Sequence, residues 1–133
     1  MRARASVRPV SDVAYDNVVH EWHALMARHA AVHNALEAEL RKHDIGVSEF
    51  EVLRRLAECD LGKCRGADLI DVTYLSQSAA SRLVARMERD GLVERGMCDT
   101  DRRGIFVALT ELGKKRYLDA KPTYRAVLAA TIG

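Results

Sequence analysis

The sequence predicts a mainly α fold (α+β) that includes a single β-hairpin. Apolar residues recur every three or four positions in several segments, which is the spacing of one face of a helix. Two β-prone runs, 91–95 and 105–109, flank a polar, turn-forming segment at 99–104. With 133 residues and 48% hydrophobic content, the chain is large enough for one integrated domain with its own core.

The N-terminal third predicts a flexible arm followed by one long helix. Residues 1–12 lack periodicity, whereas 13–43 form an amphipathic helical pattern within a predicted dimerisation segment, 13–45. The apolar stripe of this pattern consists of Val18, Trp22, Leu25, His29, Val32, Leu36 and Leu40. Such a helix is about 45 Å long at 1.5 Å per residue, which is too long for one small domain to cover. Part of the stripe is therefore expected to pack on a second copy of the chain.

Two shorter helices are predicted next, at 48–58 and 66–72, with a loop at 60–64 between them. Ser48 and Glu51 have the spacing of a capping box, which places the N-cap of the first of these helices at Ser48.

A fourth helix is predicted at 77–90, because Ser76 suits its N-cap and Gly91 suits a left-handed residue after its end. The third helix, a tight turn and this fourth helix form a helix-turn-helix pattern within a central region, 46–110. The first turn of the fourth helix is short-chained and polar, so it can approach the edges of DNA bases. An ordinary amphipathic surface helix with a serine cap would show the same pattern.

The side chains of this region offer two kinds of DNA contact. Gln77 can pair with adenine, and serine hydroxyls can bond bases or phosphates. Arg82 and Arg86, one turn apart, can reach phosphate or guanine. The predicted contact residues before the hairpin are Arg65, Ser76, Gln77, Ser78, Ser81, Arg82 and Arg86.

The hairpin carries two arginines at its predicted tip. Arg102 and Arg103 suit a minor groove, because narrow grooves concentrate negative potential that attracts arginine. Asp101 can hold one guanidinium in a bidentate pair and so orient it. The segment 99–104 has two acids and two arginines, so orientation matters more here than bulk attraction. The alternative is a solvated hairpin tip.

The C-terminal region, 111–133, is predicted to supply further dimerisation helices. Thr110 suits the N-cap of a helix that runs to about residue 119. Pro122 lacks a backbone N–H and predicts a break before a final short helix at 123–131.

Composition narrows the class of protein. The formal net charge is +2, so nucleic-acid binding has to come from individually placed arginines. No apolar run approaches the ~18 residues of a membrane span, and no secretory signal follows the N-terminal arginines, so a cytoplasmic protein without membrane contact is expected. In that compartment Cys59, Cys64 and Cys98 are predicted to be free thiols.

Catalytic and metal-binding patterns are not found. The sequence has no nucleophile–base pair, phosphate-cradling glycine loop or paired acids, which predicts that the protein is not an enzyme and needs no cofactor. His20 and His23, like His29 and His33, share a helix face, but no acid or cysteine is placed to complete a metal site.

Two segments together resemble the MarR family. The run 75–95 resembles the recognition helix and first wing strand of that family, and 101–104 with 109–113 resembles its wing tip and the start of its penultimate helix. The resemblance implies a winged helix-turn-helix homodimer that binds a palindrome, with Arg103 as the wing arginine and Asp101 as the acid that orients it. Family members usually end in a long dimerisation helix, so a chain that stops at Gly133 departs from the pattern.

The resemblance also implies a response to small aromatic or phenolic acids, bound between the dimer helices and the winged region. The candidate residues for such a crevice are Trp22, His23, Met26, Phe50 and Arg54, with Arg55 as an alternative partner for a carboxylate. Packing in a core is the alternative for each of them.

The function predicted from the sequence is a homodimeric DNA-binding transcriptional regulator. It would be a repressor that binds a palindromic operator in double-stranded DNA through helix 76–90 and wing 92–109, and a small aromatic or acidic effector would relieve the repression. The alternatives are a winged-helix module for protein–protein contact without DNA, and a thiol- or metal-responsive regulator of the same fold.

Overall fold

The computed structural model describes residues 7–98 and 101–133, and gives the backbone alone at 97, 98 and 101–104. Five helices and three strands follow one another in this part of the chain. They are α1 (Asp12–Leu40, continued by a 3-10 turn at Arg41–His43), α2 (Val47–Glu58), β1 (Lys63–Arg65), α3 (Gly66–Thr73), α4 (Gln77–Arg89), β2 (Val93–Cys98), β3 (Asp101–Leu109) and α5 (Glu111–Thr131). The mainly α prediction with one hairpin is confirmed.

Helix α1 begins one residue earlier than predicted, because Ser11 provides its cap. The Ser11 hydroxyl accepts a hydrogen bond from the backbone N–H of Ala14 at 3.2 Å. At the other end of the helix, Leu36 and Leu40 are buried in the core. Residues 1–6 of the predicted arm lie outside the described residues.

The prediction that Ser48 caps α2 is wrong. The helix begins at Val47 with Gly46 as its N-cap. Glu37 of α1 accepts the hydrogen bond of the Val47 N–H at 2.7 Å, and Glu49 accepts that of the Gly46 N–H at 3.1 Å. A carboxylate from another helix thus takes the place of the predicted serine cap.

The core lies where α1, α2 and α5 meet the winged region. Phe50 of α2 is 1% exposed, and its ring stacks on Tyr124 with centroids 4.2 Å apart and lies 5.4 Å from Tyr117. Leu53 and Leu56 are fully buried beside it. At about 25 cal/mol per Å² of buried apolar area, aromatic and leucine side chains of this kind dominate the stability of such a fold.

The sheet has three antiparallel strands in the order β1-β3-β2. The prediction of a loop at 60–64 missed β1, where Cys64 pairs with Val107 of β3. Strands β2 and β3 are also longer than predicted, so 101–104 belong to β3 rather than to a turn. Residues 99 and 100 between the strands lie outside the described residues.

Helix α5 runs without a break from Glu111 to Thr131, so the predicted division at Pro122 is wrong. The proline lies in the helix interior and is exposed. Because proline has no backbone N–H, the Leu118 carbonyl loses its usual helical partner.

The prediction of three free thiols is wrong for two of them, since a disulfide joins Cys59 and Cys64. Leu61 and Gly62 between them have φ angles of 61° and 67°, which turn the chain back on itself. This turn brings the two Cα atoms to 6.2 Å, within the range of disulfides. The side chain of Cys98 lies outside the description.

Candidate nucleic-acid interface

Helix α4 is amphipathic, with one face in the core and the other in solvent. Its start is fixed as predicted: the Ser76 hydroxyl accepts the hydrogen bond of the Ala79 N–H at 3.2 Å. Gly91 follows its end with φ +79°. The inward residues are Ala80, Leu83, Val84 and Met87, which are 0–8% exposed. Packing along this whole face holds the opposite face in a fixed position.

The solvent face of α4 is polar over three turns. Ser78, Arg82 and Arg89 are exposed and lie on one stripe, at spacings of four and seven residues. Gln77 and Ser81 are exposed on the side of α4 that faces the wing. Arg89 was missed by sequence reasoning, although its spacing from Arg82 is a signal for it.

Arg86 lies on the other flank of α4. It borders a polar cavity with Glu37, Arg41 and Asp44 at the junction of α1 and α2. Arg82 and Arg86 are one helical turn apart on neighbouring parts of the exposed surface, and Arg86 is the one that lies next to α1.

A second cavity, of about 370 Å³, lies between α3, α4 and the sheet. Arg65, which occupies the N-cap of α3, borders this cavity with Gln77 and Ser81. The floor is apolar and includes Leu69 and Val107. Three predicted DNA-contacting residues from two elements thus meet at one groove.

An ion pair joins the end of α4 to the wing. The Arg95 guanidinium donates to Glu88 Oε1 at 2.9 and 3.0 Å, and the Arg95 backbone N–H donates to Glu88 Oε2 at 3.2 Å. These hydrogen bonds lower the pKa of the Glu88 carboxyl. The pair ties β2 to the recognition helix and was not predicted, because it requires the chain to fold back over seven residues.

The turn between α3 and α4 exposes a tyrosine. Tyr74 has φ +56° and is 94% exposed. Thr73 orders the turn: its hydroxyl donates to the Ile70 carbonyl at 2.9 Å and accepts from the Leu75 N–H at 3.3 Å. A bulky residue in the left-handed region is uncommon, and the sequence pattern had not singled it out.

The predicted wing residues Asp101, Arg102 and Arg103 lie at the start of β3, where Asp101 pairs with Cys98 across the hairpin. Their side chains lie outside the described residues, so their roles stay predictions.

The predicted effector residues are spread over different parts of the chain. Trp22 and Met26 are 58% and 48% exposed on α1, and His23 beside them is exposed. Phe50 is in the aromatic core, where burial and a hydrogen bond to Glu51 raise the pKa of Tyr124 to about 12. One chain therefore does not unite these residues in one site.

The two arginines proposed for an effector carboxylate have partners within the chain. Arg54 is ion-paired with Glu51 and Glu58. Burial works against its charge, but the two carboxylates outweigh burial and raise the pKa of Arg54. Arg55 donates to the Cys59 sulfur at 3.0 Å.

The described residues contain neither a metal-binding cluster nor a membrane-spanning helix. No group of three His, Cys, Asp or Glu side chains there is arranged to hold a metal ion. His29 and His33 are stacked with ring centroids 5.8 Å apart. No helix in this part of the chain is long and apolar enough to cross a membrane.

The elements α3, turn, α4 and the β2–β3 hairpin define a winged helix-turn-helix protein. The sequence model of the MarR family matches residues 43–104, which include all of these elements up to the start of β3. Over these residues the chain is similar to the MarR family.

Curated relatives agree with this similarity. The chain is 32% identical over 78 residues to an uncharacterised HTH-type transcriptional regulator, YwhA, of Bacillus subtilis, and covers 54% of it. It is 29% identical over 96 residues to the homoprotocatechuate degradative operon repressor of Escherichia coli. These alignments cover 59% and 70% of this chain, and the second covers 61% of that relative. The chain thus spans just over half of the length of these relatives.

Solved structures share the fold over nearly the whole chain. AbsC, a MarR family transcriptional regulator from Streptomyces coelicolor, has a TM-score of 0.81 and 28% identity, over 95% of this chain and 82% of that one. A second regulator from this organism, solved in complex with DNA, has a TM-score of 0.81 over 97% and 79%, but its 23% identity bears on the fold alone. CouR from Rhodococcus jostii, bound to p-coumaroyl-CoA, has a TM-score of 0.73 and 27% identity, over 82% and 76%.

Proposed function

We propose that this protein is a homodimeric transcriptional regulator that represses by binding a palindromic operator in double-stranded DNA. The observation that supports this most is the exposed polar face of α4, fixed by its buried face and flanked by a β-hairpin. The repressor named among the relatives supports the sign of regulation.

In the proposed complex, α4 enters the major groove with its N-terminal turn towards the bases. Gln77 bonds adenine, and the stripe that contains Arg82 and Arg89 reaches guanine or phosphate. Arg65 and Arg86 lie on opposite flanks of α4, where the two phosphate backbones that border a major groove would pass. The serines that complete this set are Ser76, Ser78 and Ser81.

The wing serves the adjacent minor groove in this proposal. Arg102 and Arg103 begin β3 beside the hairpin connection, at the end of the wing farthest from the core. Asp101 holds the guanidinium of Arg103 in position, so the arginine enters the groove without losing its orientation.

The dimer is proposed from the apolar surface of α1. Long apolar side chains cover its N-terminal half and are 48–73% exposed. They are Val13, Tyr15, Val18, Trp22, Leu25 and Met26. A second copy would bury this surface and place two recognition helices one DNA turn apart, about 34–36 Å.

The dimer also gives the proposed effector a place. Trp22, His23 and Met26 would be joined by a partner helix to form a cleft, whereas Phe50 and Arg54 keep their partners in the core and on α2. The p-coumaroyl-CoA bound to CouR supports an aromatic or acidic ligand. Its binding would draw the winged regions away from the operator spacing.

The proposal is tested by selecting bound sequences from a random pool of duplex DNA. A palindromic consensus is expected, and binding to it should fall steeply with salt, because several phosphates are contacted. An Arg82→Ala and an Arg28→Ala variant form a matched pair, since both remove an exposed arginine but only Arg82 lies on the exposed stripe of α4. Absence of any selected sequence would instead favour a winged-helix module for protein–protein contact.

A further inference from the structure

The Cys59–Cys64 disulfide lies directly before the helix-turn-helix. Cys59 ends α2, Cys64 is the central residue of β1, and the next residue, Arg65, is the N-cap of α3. The covalent bond therefore fixes the segment that positions the first helix of the DNA-binding unit.

Strand β1 is short and is hydrogen-bonded to the sheet along one side only. Only three residues pair with β3, and β1 is an edge strand. The turn before it contains Leu61, a non-glycine residue with φ +61° whose side chain is 89% exposed. Left-handed backbone at such a residue costs of order 1 kcal/mol and persists only where its surroundings impose it. The disulfide, which closes this turn, is one such constraint.

The groups around the two sulfur atoms suit reversible reduction and oxidation of the disulfide. An Arg55 N–H donates to the Cys59 sulfur at 3.0 Å, and a guanidinium in that position stabilises a thiolate after reduction. The Cys64 sulfur is 3.8 Å from the Arg55 carbonyl oxygen, which can accept a hydrogen bond from a reduced thiol. Cys64 is 4% exposed, whereas Cys59 is only partly buried, so an external thiol meets Cys59 first.

We propose that Cys59 and Cys64 form a redox site that controls operator affinity, with the disulfide form as the tighter DNA binder. A small dithiol supplies the two electrons. Its thiolate attacks the Cys59 sulfur, the Cys59–Cys64 bond breaks, and Cys64 leaves as a thiolate that takes a proton. The second thiol of the reagent then releases Cys59 and closes the reagent's own disulfide. A small-molecule disulfide such as glutathione disulfide reverses the sequence by thiol–disulfide exchange.

Loss of the bond frees β1 and the start of α3. Lys63 and Arg65 are exposed on either side of Cys64, so their positions relative to the DNA backbone change with that of the strand. The inference rests on the proposed DNA-binding function, and it assigns to that function a control by thiol–disulfide exchange.

The test compares one protein in two redox states. A Cys98→Ser background leaves a single cysteine pair, and thiol titration before and after dithiothreitol counts the freed sulfurs. Affinity for the selected palindrome is measured by fluorescence anisotropy at fixed salt. Reduction should weaken binding by at least about fivefold, the lower end of typical allosteric couplings, and glutathione disulfide should restore it.

The matched control is Cys59→Ser with Cys64→Ser in the same background, which should bind like the reduced protein with or without dithiothreitol. Equal affinities in the two titrated states would overturn the proposal while leaving the DNA-binding function in place. If neither state binds selected DNA, the proposed function fails. Amide hydrogen exchange at 63–67 then tests whether reduction of the disulfide loosens β1 and the start of α3. Faster exchange after reduction supports the redox site, and unchanged exchange overturns it.

Discussion

Helix α4 and the N-terminal half of α1 are both amphipathic, but only α4 finds its apolar partner within the chain. In α4 the long apolar residues Leu83, Val84 and Met87 are at most 8% exposed, and the outer face is polar. In α1 Trp22 and Leu25 are 58% and 64% exposed. Contiguous apolar surface of this kind marks an interaction site. Helix α4 is therefore fully packed within one chain. The N-terminal half of α1, in contrast, needs a second copy of the chain to bury its apolar residues, and that copy would set the spacing between two α4 helices.

The largest effect is expected from charges on the exposed stripe of α1. The double variant Trp22→Asp, Leu25→Asp should be a folded monomer, because a carboxylate cannot be buried unpaired in an apolar interface. Loss of the second recognition helix should lower operator affinity by roughly 10²- to 10⁴-fold, the usual gain from bivalency. Sedimentation velocity gives the oligomeric state, and anisotropy gives the affinity.

The control for this variant is Leu61→Asp, which adds an acid at a leucine that is 89% exposed and outside α1. It should stay dimeric. A Trp22→Asp, Leu25→Asp protein that is still a dimer at micromolar concentration would contradict the assignment of this stripe to the interface.

The packing of the buried face of α4 is tested by Met87→Ala. Met87 is fully buried on the inner face of α4, so the substitution leaves a cavity. The free energy of unfolding should fall by about 2–5 kcal/mol, measured by urea denaturation. Ala85→Gly changes the same helix at a half-buried position and should cost only about 1 kcal/mol. Equal costs would mean that the inner face of α4 is not packed as described.

The wing is tested by Arg103→Ala. A minor-groove arginine should contribute about 1–3 kcal/mol to operator binding, while the free energy of unfolding stays unchanged. Asp101→Asn should reproduce part of the loss if the acid orients the arginine. Unchanged affinity of Arg103→Ala for the selected palindrome would refute the wing assignment.

Gln77→Ala should change specificity more than affinity. A lost bidentate pair with adenine removes about 1–3 kcal/mol of discrimination at one base position, so repeated selection should yield a relaxed consensus there. Equal losses on the palindrome and on random duplex would show that Gln77 contacts the backbone alone.

The smallest expected effect is a gain of stability. Tyr74→Gly relieves a left-handed tyrosine whose ring is almost fully exposed, and should raise the free energy of unfolding by about 0.5–1 kcal/mol. Tyr74→Ala removes the same ring but keeps the backbone cost, so it should give no gain. A destabilised glycine variant would show that the ring makes a contact that matters.

The sequence predicted those helix ends that depend on neighbouring residues. Ser76 and Thr110 cap their helices as expected, with the Thr110 hydroxyl accepting from the Gly113 N–H at 3.0 Å. Gly91 takes the left-handed position. Each of these features needs only a side chain and a backbone group within three or four positions, which local pattern reveals.

Features that depend on distant residues were missed. Strand β1 is three residues long and forms because β3, about forty residues later, pairs with it. The start of α2 is set by Glu37 of another helix. The disulfide requires a turn in which Leu61 has a left-handed backbone conformation, and a leucine in the sequence does not predict that conformation. In the candidate site, likewise, the polar face of α4 followed from periodicity, whereas the Glu88–Arg95 pair required knowledge of where β2 lies.

Two copies of this chain are proposed to bind one palindrome. Sedimentation equilibrium of the protein with the selected duplex tests this proposal most directly, using chains and duplex at known concentrations well above the dissociation constant. We expect two chains per duplex, on half-sites about one helical turn apart. One chain per duplex, or no complex at all, would contradict it.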